Sequence, residues 1–148
     1  YLPTPIWYGE NIQQWKNMNC RLEFRLKSWR IFSRTTVSPP QFVGKDAKIE
    51  NSMITSGCTI LGTVINSMLS NNVTVEKGAV VRDSVIMSNT IIREGAVVDF
   101  SILDSDVDIG KNATVGTKMS EDAEVTVVGA SISINDGETI EAGKIISK

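Results

Sequence analysis

Carboxylates at every second position make residues 104–110 the densest group of potential metal ligands in the chain. Asp104, Asp106 and Asp108 alternate with other residues there. An EF-hand calcium loop begins in this way, but it requires glycine at the sixth position and glutamate at the twelfth. Here the glycine is seventh and the twelfth residue is Val115. Alternation is also typical of a strand whose aspartates face solvent. We favour the strand and predict no metal site.

A basic run near the start of the chain is the second group that could do chemistry. It consists of Arg21, Arg25, Lys27, Arg30 and Arg34. Guanidinium groups are preferred partners of phosphate esters. A solvated face, or pairing with acidic residues of a neighbouring domain, explains the same run, and we favour that interpretation.

The two cysteines are predicted to be structural. Cys58 occupies the slot that alanine fills in residues 78–81, and no Lys or Arg lies beside it to lower its pKa. Cys20 has Arg21 next to it, which is weak evidence of reactivity. Two cysteines in unlike sequence contexts do not form a disulfide framework. A reducing, cytoplasmic location is therefore expected.

Histidine is absent from the 148-residue chain, and this excludes many enzyme mechanisms. No His-based triad, histidine metal cluster or imidazole base can be built. The chain has 15 Lys and Arg against 17 Asp and Glu, a net charge of −2. It therefore has no excess of positive charge that would attract nucleic acid or an anionic membrane. No apolar run approaches the length of a membrane span.

The elements that must position these residues follow a repeat. Four tetrads at spacings of 15, 17 and 17 resemble each other: Asn51-Ser52-Met53-Ile54, Asn66-Ser67-Met68-Leu69, Asp83-Ser84-Val85-Ile86 and Phe100-Ser101-Ile102-Leu103. A fixed period indicates units that stack on one another. Each step of 17 divides into aliphatic spacings of 6, 6 and 5: Val75, Val81, Ile86, Ile92, Val98, Leu103, Ile109 and Val115.

A hexapeptide period with one aliphatic residue per unit predicts an all-β fold, a parallel β-helix. Three short strands form one triangular coil, and the aliphatic side chains fill its axis. Gly78, Gly95 and Asn112 fit corners with positive φ. The same spacing of aliphatic residues continues upstream through Val43, Ile49, Ile54 and Ile60. About six coils fit between residues 42 and 148.

The first 41 residues have a different composition. Seven of the nine aromatic residues and all four prolines lie before residue 41. We predict a linker arm over residues 1–41, ending at Pro39-Pro40, and a β-helix domain over residues 42–148. Apolar residues near a 3.6 period predict one helix over about residues 10–27, followed by an extended segment.

From residue 28 to the end, the sequence resembles the C-terminal part of the ADP-glucose pyrophosphorylase (glucose-1-phosphate adenylyltransferase) family. The resemblance rests on an ordered series of segments: Trp29-Arg30-Ile31-Phe32-Ser33, Ser38-Pro39-Pro40-Gln41-Phe42-Val43, the Asn51 tetrad with Gly57-Cys58, Gly62-Thr63-Val64-Ile65 with the Asn66 tetrad, the Asp83 tetrad, and the ending 135–143. This order is more specific than hexapeptides alone.

The resemblance implies a left-handed β-helix that contributes to oligomerisation and to regulation by sugar-phosphate effectors, with Arg30 and Arg34 as candidate effector-binding residues. The family also has a catalytic domain that makes ADP-glucose from ATP and glucose 1-phosphate for glycogen or starch. Its Gly-rich phosphate loop and metal-binding carboxylates are not in this sequence. We therefore carry over no catalytic residue and expect the chain to be inactive alone. Mg²⁺ is expected only with the catalytic domain, and no cofactor is expected here.

Gln41 stands where the family usually has a basic residue after the two prolines, which weakens the transfer of effector binding and suits a regulatory-type subunit. The expected partners are nucleotidyltransferase subunits in a homo- or hetero-oligomer. The tail of another sugar-phosphate nucleotidyltransferase, such as a mannose-1-phosphate guanylyltransferase, is an alternative. A free-standing hexapeptide acyltransferase or γ-type carbonic anhydrase is disfavoured because histidine is absent.

Overall fold

The computed structural model describes residues 37–120 and 122–147. By its internal contacts the chain divides into two compact units, Tyr1–Val37 and Ser38–Lys148. The helix predicted over residues 10–27 lies outside the described residues, so it stays a prediction. No helix in the described ranges has the length and hydropathy of a membrane-spanning segment.

The described part of the second unit is built from short parallel strands. In chain order they are β1 (Phe42–Val43), β2 (Lys48–Glu50), β3 (Met53–Ile54), β4 (Thr59–Ile60), β5 (Thr63–Ile65), β6 (Met68–Leu69), β7 (Thr74–Val75), β8 (Val80–Arg82), β9 (Val85–Ile86), β10 (Ile91–Ile92), β11 (Val97–Asp99), β12 (Ser101–Leu103), β13 (Asp108–Ile109), β14 (Thr114–Val115), β15 (Thr126–Val128), β16 (Ser133–Ile134), β17 (Thr139–Ile140) and β18 (Ile145–Ile146).

Every third strand belongs to the same sheet, which makes the fold a three-sided solenoid. Face A contains β1, β4, β7, β10, β13 and β16, face B contains β2, β5, β8, β11, β14 and β17, and face C contains β3, β6, β9, β12, β15 and β18. Six strands per face correspond to six coils, and the described residues contain no helix. The predicted β-helix of about six coils is confirmed.

The axis is filled by one aliphatic side chain per strand. All eight inward residues predicted from the six-residue beat, Val75 through Val115, are fully buried. In register they stack as columns, for example Val81 on Val98 on Val115 along face B. The first coil differs, because Val43 and Ile49 are 45% and 37% exposed. Coil six also has a neighbouring coil on one side only among the described strands, but its inward Ile134 and Ile140 are 5% and 6% exposed.

The corners need backbone in the left-handed region, as predicted. Gly78, Gly95 and Asn112 have φ values of 72°, 71° and 53°. A side chain on Gly95 would collide with the amide oxygen of Asn112 in the next coil. The positive φ favours glycine at this position, and the Asn112 amide would have to move to admit a side chain.

A column of serines explains why the four tetrads resemble each other. The Ser67 hydroxyl donates to the Ile65 carbonyl at 2.6 Å and accepts the Ser84 N–H at 3.2 Å. The Ser84 hydroxyl repeats this, donating to the Arg82 carbonyl at 2.6 Å and accepting the Ser101 N–H at 3.1 Å. Each hydroxyl thus donates to a carbonyl at its own corner and accepts the N–H of the equivalent serine in the next coil.

Replacing Ser84 by alanine is expected to lower the free energy of unfolding by about 1–3 kcal/mol, because the buried N–H of Ser101 loses its acceptor. The matched control is Ser70→Ala, whose hydroxyl lies 4.0 Å from the Met87 sulfur on a partly exposed surface. That change is expected to stay within about 0.5 kcal/mol. Urea unfolding of both variants measures the difference, and equal losses would contradict the serine column.

The largest break in the repeat is one that the sequence period did not predict. Ile91 pairs with Asp108, 17 residues later, whereas Asp108 pairs with Ser133, 25 residues later. Eight extra residues therefore enter coil five, and the strand pairing places them between Val115 and Thr126. The described residues of this segment, 116–120 and 122–125, contain no strand.

Candidate functional site: the outer faces of the solenoid

The acidic segment 104–110 is a strand and turn of coil five, as favoured from the sequence. Val107 and Ile109 point into the core and are buried. The Asp108 carboxylate is held by Arg93 through two hydrogen bonds of 2.7 and 2.6 Å. Asp106 accepts a hydrogen bond from the Asn89 amide at 3.1 Å. In the described ranges, no three His, Cys, Asp or Glu side chains are grouped to hold a metal ion.

The Arg93–Asp108 pair joins coil four to coil five at the surface of face A. The guanidinium holds the pKa of Asp108 below its usual range, chiefly by hydrogen bonding. Because the folded-state pKa is lowered, the pair stabilises the fold above the ordinary carboxyl pKa and loses this effect as the pH falls through the folded-state value. Both side chains are more than a third exposed, so solvent screens the pair.

In a second bidentate pair, on face B, the carboxylate is buried and the arginine side chain is 29% exposed. Arg82 donates to both carboxylate oxygens of Asp99 at 2.6 and 2.8 Å. The Asp99 side chain is 7% exposed, and hydrogen bonding to it raises the pKa of the Arg82 guanidinium. The pair was missed from the sequence, although opposite charges 17 residues apart, one coil, are a signal that identifies it. Its place between two strands makes it a link between coils three and four.

An open groove runs along the corners of coils three to five, between faces A and B. Its volume is about 380 Å³, and it is lined by Lys77, Gly78, Glu94, Gly95, Lys111 and Asn112. The Lys111 ammonium lies 3.7 Å from the Glu94 carboxylate, and both side chains are more than half exposed. Such a shallow surface of mixed charge does not have the apolar, enclosed character of a small-molecule site.

The Cys58 thiol is structural, as predicted. It is 1% exposed and lies 3.0 Å from the Ser70 carbonyl, to which it donates. Burial raises its pKa, so it is a neutral thiol at physiological pH. Cys20 and the candidate effector residues Arg30 and Arg34 lie outside the described residues.

The three faces differ in the side chains that they present outward. The residue before each inward aliphatic forms an outer row, which on face C consists of Met53, Met68, Val85, Ile102, Val127 and Ile145. Every member of this row is apolar. The corresponding row contains Asp108 on face A and Lys48 on face B, with threonines on both.

Face C also differs from the other two faces in its outward charged residues. The residues that follow its inward aliphatics are Thr55, Ser70, Met87, Asp104, Gly129 and Ser147. Asp104 is thus the one charged residue among the described members of these two rows of face C. Face B presents Lys48, Glu50, Arg82, Asp99 and Glu141 at equivalent positions. Depletion of charge is the compositional mark of a protein-interface core.

Comparison with known proteins identifies the repeat. Residues 38–136 match the family described as GlmU-like, C-terminal hexapeptide. Glucose-1-phosphate adenylyltransferase of Clostridium botulinum (strain Eklund 17B) is 44% identical over 64 residues, 43% of this chain and 17% of the relative. The same enzyme of Clostridioides difficile (strain 630) is 52% identical over 56 residues, 38% of this chain and 14% of the relative.

The chain thus matches less than a fifth of the length of these curated relatives. Among solved structures, a perosamine N-acetyltransferase from Caulobacter crescentus is 16% identical with a TM-score of 0.32, covering 75% of this chain and 50% of that one. A likeness at this level carries no argument about function. The resemblance to glucose-1-phosphate adenylyltransferases is confirmed over the repeat region. With six coils and a match over residues 38–136, the chain belongs to the GlmU-like C-terminal hexapeptide family.

Proposed function

We propose that this chain is the C-terminal, non-catalytic part of a glucose-1-phosphate adenylyltransferase, the enzyme that makes ADP-glucose from ATP and glucose 1-phosphate. The observation that carries this proposal is the identity of 44–52% to enzymes of that name. The ordered tetrads around Ser52, Ser67, Ser84 and Ser101 support it, because they belong to the series of segments that resembles this family.

The proposed role of the solenoid is to act as a rigid spacer and an assembly element. Its axis is closed by buried aliphatic side chains, so the core offers no room for a substrate. Its strongest polar contacts, Arg82 with Asp99 and Arg93 with Asp108, join one coil to the next. These contacts stiffen the coil and leave the outer faces to meet other subunits.

The chemistry of the reaction belongs, in this proposal, to a catalytic domain that binds Mg²⁺ and both substrates. Arg30 and Arg34 remain the proposed residues for a phosphate-bearing effector, and we place the protein in the cytoplasm.

Turnover assays test the proposed function. The 148-residue chain, incubated with ATP, glucose 1-phosphate and Mg²⁺, is expected to release no pyrophosphate. The native polypeptide that carries this sequence, isolated with an antibody raised against the solenoid, is expected to form ADP-glucose. Turnover with GTP and mannose 1-phosphate in place of these substrates would contradict the proposal and favour a guanylyltransferase. Acetyl transfer by the chain alone would contradict it in favour of an acyltransferase.

A further inference from the structure

Two apolar side chains of coil four are buried outside the axial core. Ile102 is 3% exposed, whereas Val85 before it and Val127 after it in the outer row of face C are partly exposed. Phe100, at the corner that precedes β12, is 4% exposed, and neither Phe100 nor Ile102 belongs to the axial cluster. A coil on each side does not bury this row, because Val85 also has a coil on each side. Another segment therefore covers coil four.

The residue type at the corner before face C changes in the same coil. Asn51, Asn66 and Asp83 occupy this corner in coils one to three with φ values of 44°, 47° and 50°, and Phe100 occupies it in coil four with φ of 43°. Asn and Asp enter the left-handed region readily, whereas a bulky residue is strained there. Such strain persists where surrounding contacts compensate it. An aromatic ring at this corner therefore indicates an apolar contact that the polar corners lack.

The insertion in coil five is the additional segment that the described residues place beside this corner. A Cβ on Gly116, at the start of the insertion, would collide with the Asp99 carbonyl oxygen of coil four. At its end, the Thr126 N–H donates to the Phe100 carbonyl at 3.3 Å. The insertion thus leaves the solenoid and returns to it against the backbone of coil four on both sides of the exposed tip.

We propose that the insertion is a strap that closes over Phe100 and Ile102 and opens while the solenoid stays folded. Its described residues contain no strand, and Thr117, Lys118 and Ser120 are exposed. Segments with few buried groups open at a lower free energy than the core elements that carry them. The strap therefore opens more often than the stacked coils beneath it.

Opening of the strap lengthens the apolar surface of face C. In the closed state, the covered Ile102 separates Val85 from Val127 in the outer row. In the open state, the three side chains form one accessible row, and continuous apolar rows are uncommon on a monomer. The position of the strap thus controls how much apolar surface this face presents. This control goes beyond the proposed adenylyltransferase function and does not depend on it.

Thiol labelling of the 148-residue chain measures the opening. Cysteine replaces Ile102 or, at the equivalent position one coil earlier, Val85, in a Cys20→Ser background that keeps Cys58. Iodoacetamide alkylates the thiols, mass spectrometry quantifies each peptide, and each rate is divided by that of the same thiol in the urea-unfolded chain. Cys58 is 1% exposed and reports opening of the axis. Ile102→Cys is expected to react at least about 10-fold more slowly than Val85→Cys and at least about 10-fold faster than Cys58.

Removal of the strap tests whether it is the cover. Deletion of residues 117–124 restores the 17-residue step between coils. Val125→Asn in the same chain supplies the corner residue that Asn66 provides in coil two. In this background Ile102→Cys is expected to react as fast as Val85→Cys. Continued protection of Cys58 verifies that the shortened solenoid is folded.

A point substitution tests the same contact at full length. Gly116→Ala sets a Cβ against the Asp99 carbonyl oxygen and is expected to speed the labelling of Ile102→Cys at least about 10-fold. The matched control is Gly137→Ala, which has a similar φ of 71° against 77° and nothing within 4 Å of the added Cβ. That change is expected to leave the labelling rate of Ile102→Cys unaltered.

Three results overturn the inference. Equal normalised rates for Ile102→Cys and Cys58 in the intact chain would mean that coil four opens only with the axis. A rate for Ile102→Cys as high as that of Val85→Cys in the intact chain would mean that no cover exists. Protection that persists after the deletion would mean that another segment covers coil four. If the shortened chain does not fold, equal effects of Gly116→Ala and Gly137→Ala overturn the strap instead.

Discussion

Replacing Val98 by aspartate is expected to abolish the folded solenoid. The Val98 side chain is fully buried in β11 and stacks between Val81 and Val115 of the neighbouring coils. A carboxylate at this point would have aliphatic neighbours and no cation to pair with. Burial of an uncompensated charge costs several kcal/mol, which is comparable to the whole stability of about 5–15 kcal/mol of a typical domain. Urea unfolding measures the loss, which we expect to exceed about 4 kcal/mol.

The adjacent residue is the matched control for this prediction. Val97 lies in the same strand, but it points outward and is partly exposed. Val97→Asp is expected to change the free energy of unfolding by less than about 1 kcal/mol, because its carboxylate stays in water. Similar stability of the two aspartate variants would contradict the inward assignment of Val98.

Removing the guanidinium that faces Asp99 is expected to be the next most damaging change. In Arg82→Met the aliphatic stem is kept, but Asp99, with its side chain 7% exposed, loses both charged hydrogen bonds. Breaking a buried pair by removing one partner costs about 3–5 kcal/mol, because the remaining charge is uncompensated. The midpoint of urea unfolding is expected to fall accordingly.

Arg93→Met is the control with the same geometry and different burial. It removes an equally short bidentate pair, but Asp108 is 34% exposed and keeps its hydration. Solvent screens an exposed pair, so the loss is expected to be much smaller than that of Arg82→Met. The double variant Arg82→Met/Asp99→Leu is expected to recover most of the stability that Arg82→Met loses. Equal losses for the two arginine variants, or no recovery in the double variant, would contradict the buried pair.

The axis and the corners were predictable because a stacked coil allows few residue types at its inward and corner positions. Each strand has one inward position. The six-residue spacing of aliphatic residues therefore predicts that Val98 and Leu103 lie in the core, and no knowledge of distant contacts is needed. The corner glycines follow from the same beat, because a turn every six residues requires positive φ. The serine column was visible as a repeated residue, although its hydrogen bonds were not.

Features that depend on neighbouring coils were less predictable. The eight-residue insertion between Val115 and Thr126 interrupts the period and leaves no local signal of where the strands resume. Val43 and Ile49 follow the inward spacing but are 45% and 37% exposed, which the spacing alone did not predict. The apolar row of face C becomes visible only when the strand register aligns residues 15, 17, 18 or 25 positions apart.

The intact mass of the native polypeptide that carries this sequence is the most direct test of the central claim, that the solenoid is the C-terminal part of a larger nucleotidyltransferase. The matched relatives are several times longer than the region that they share with this chain. Mass spectrometry of the antibody-purified protein is expected to give a mass well above the 16.2 kDa of the 148 residues, with peptides from a preceding catalytic domain. A native mass of 16.2 kDa, with no such peptides, would contradict the claim.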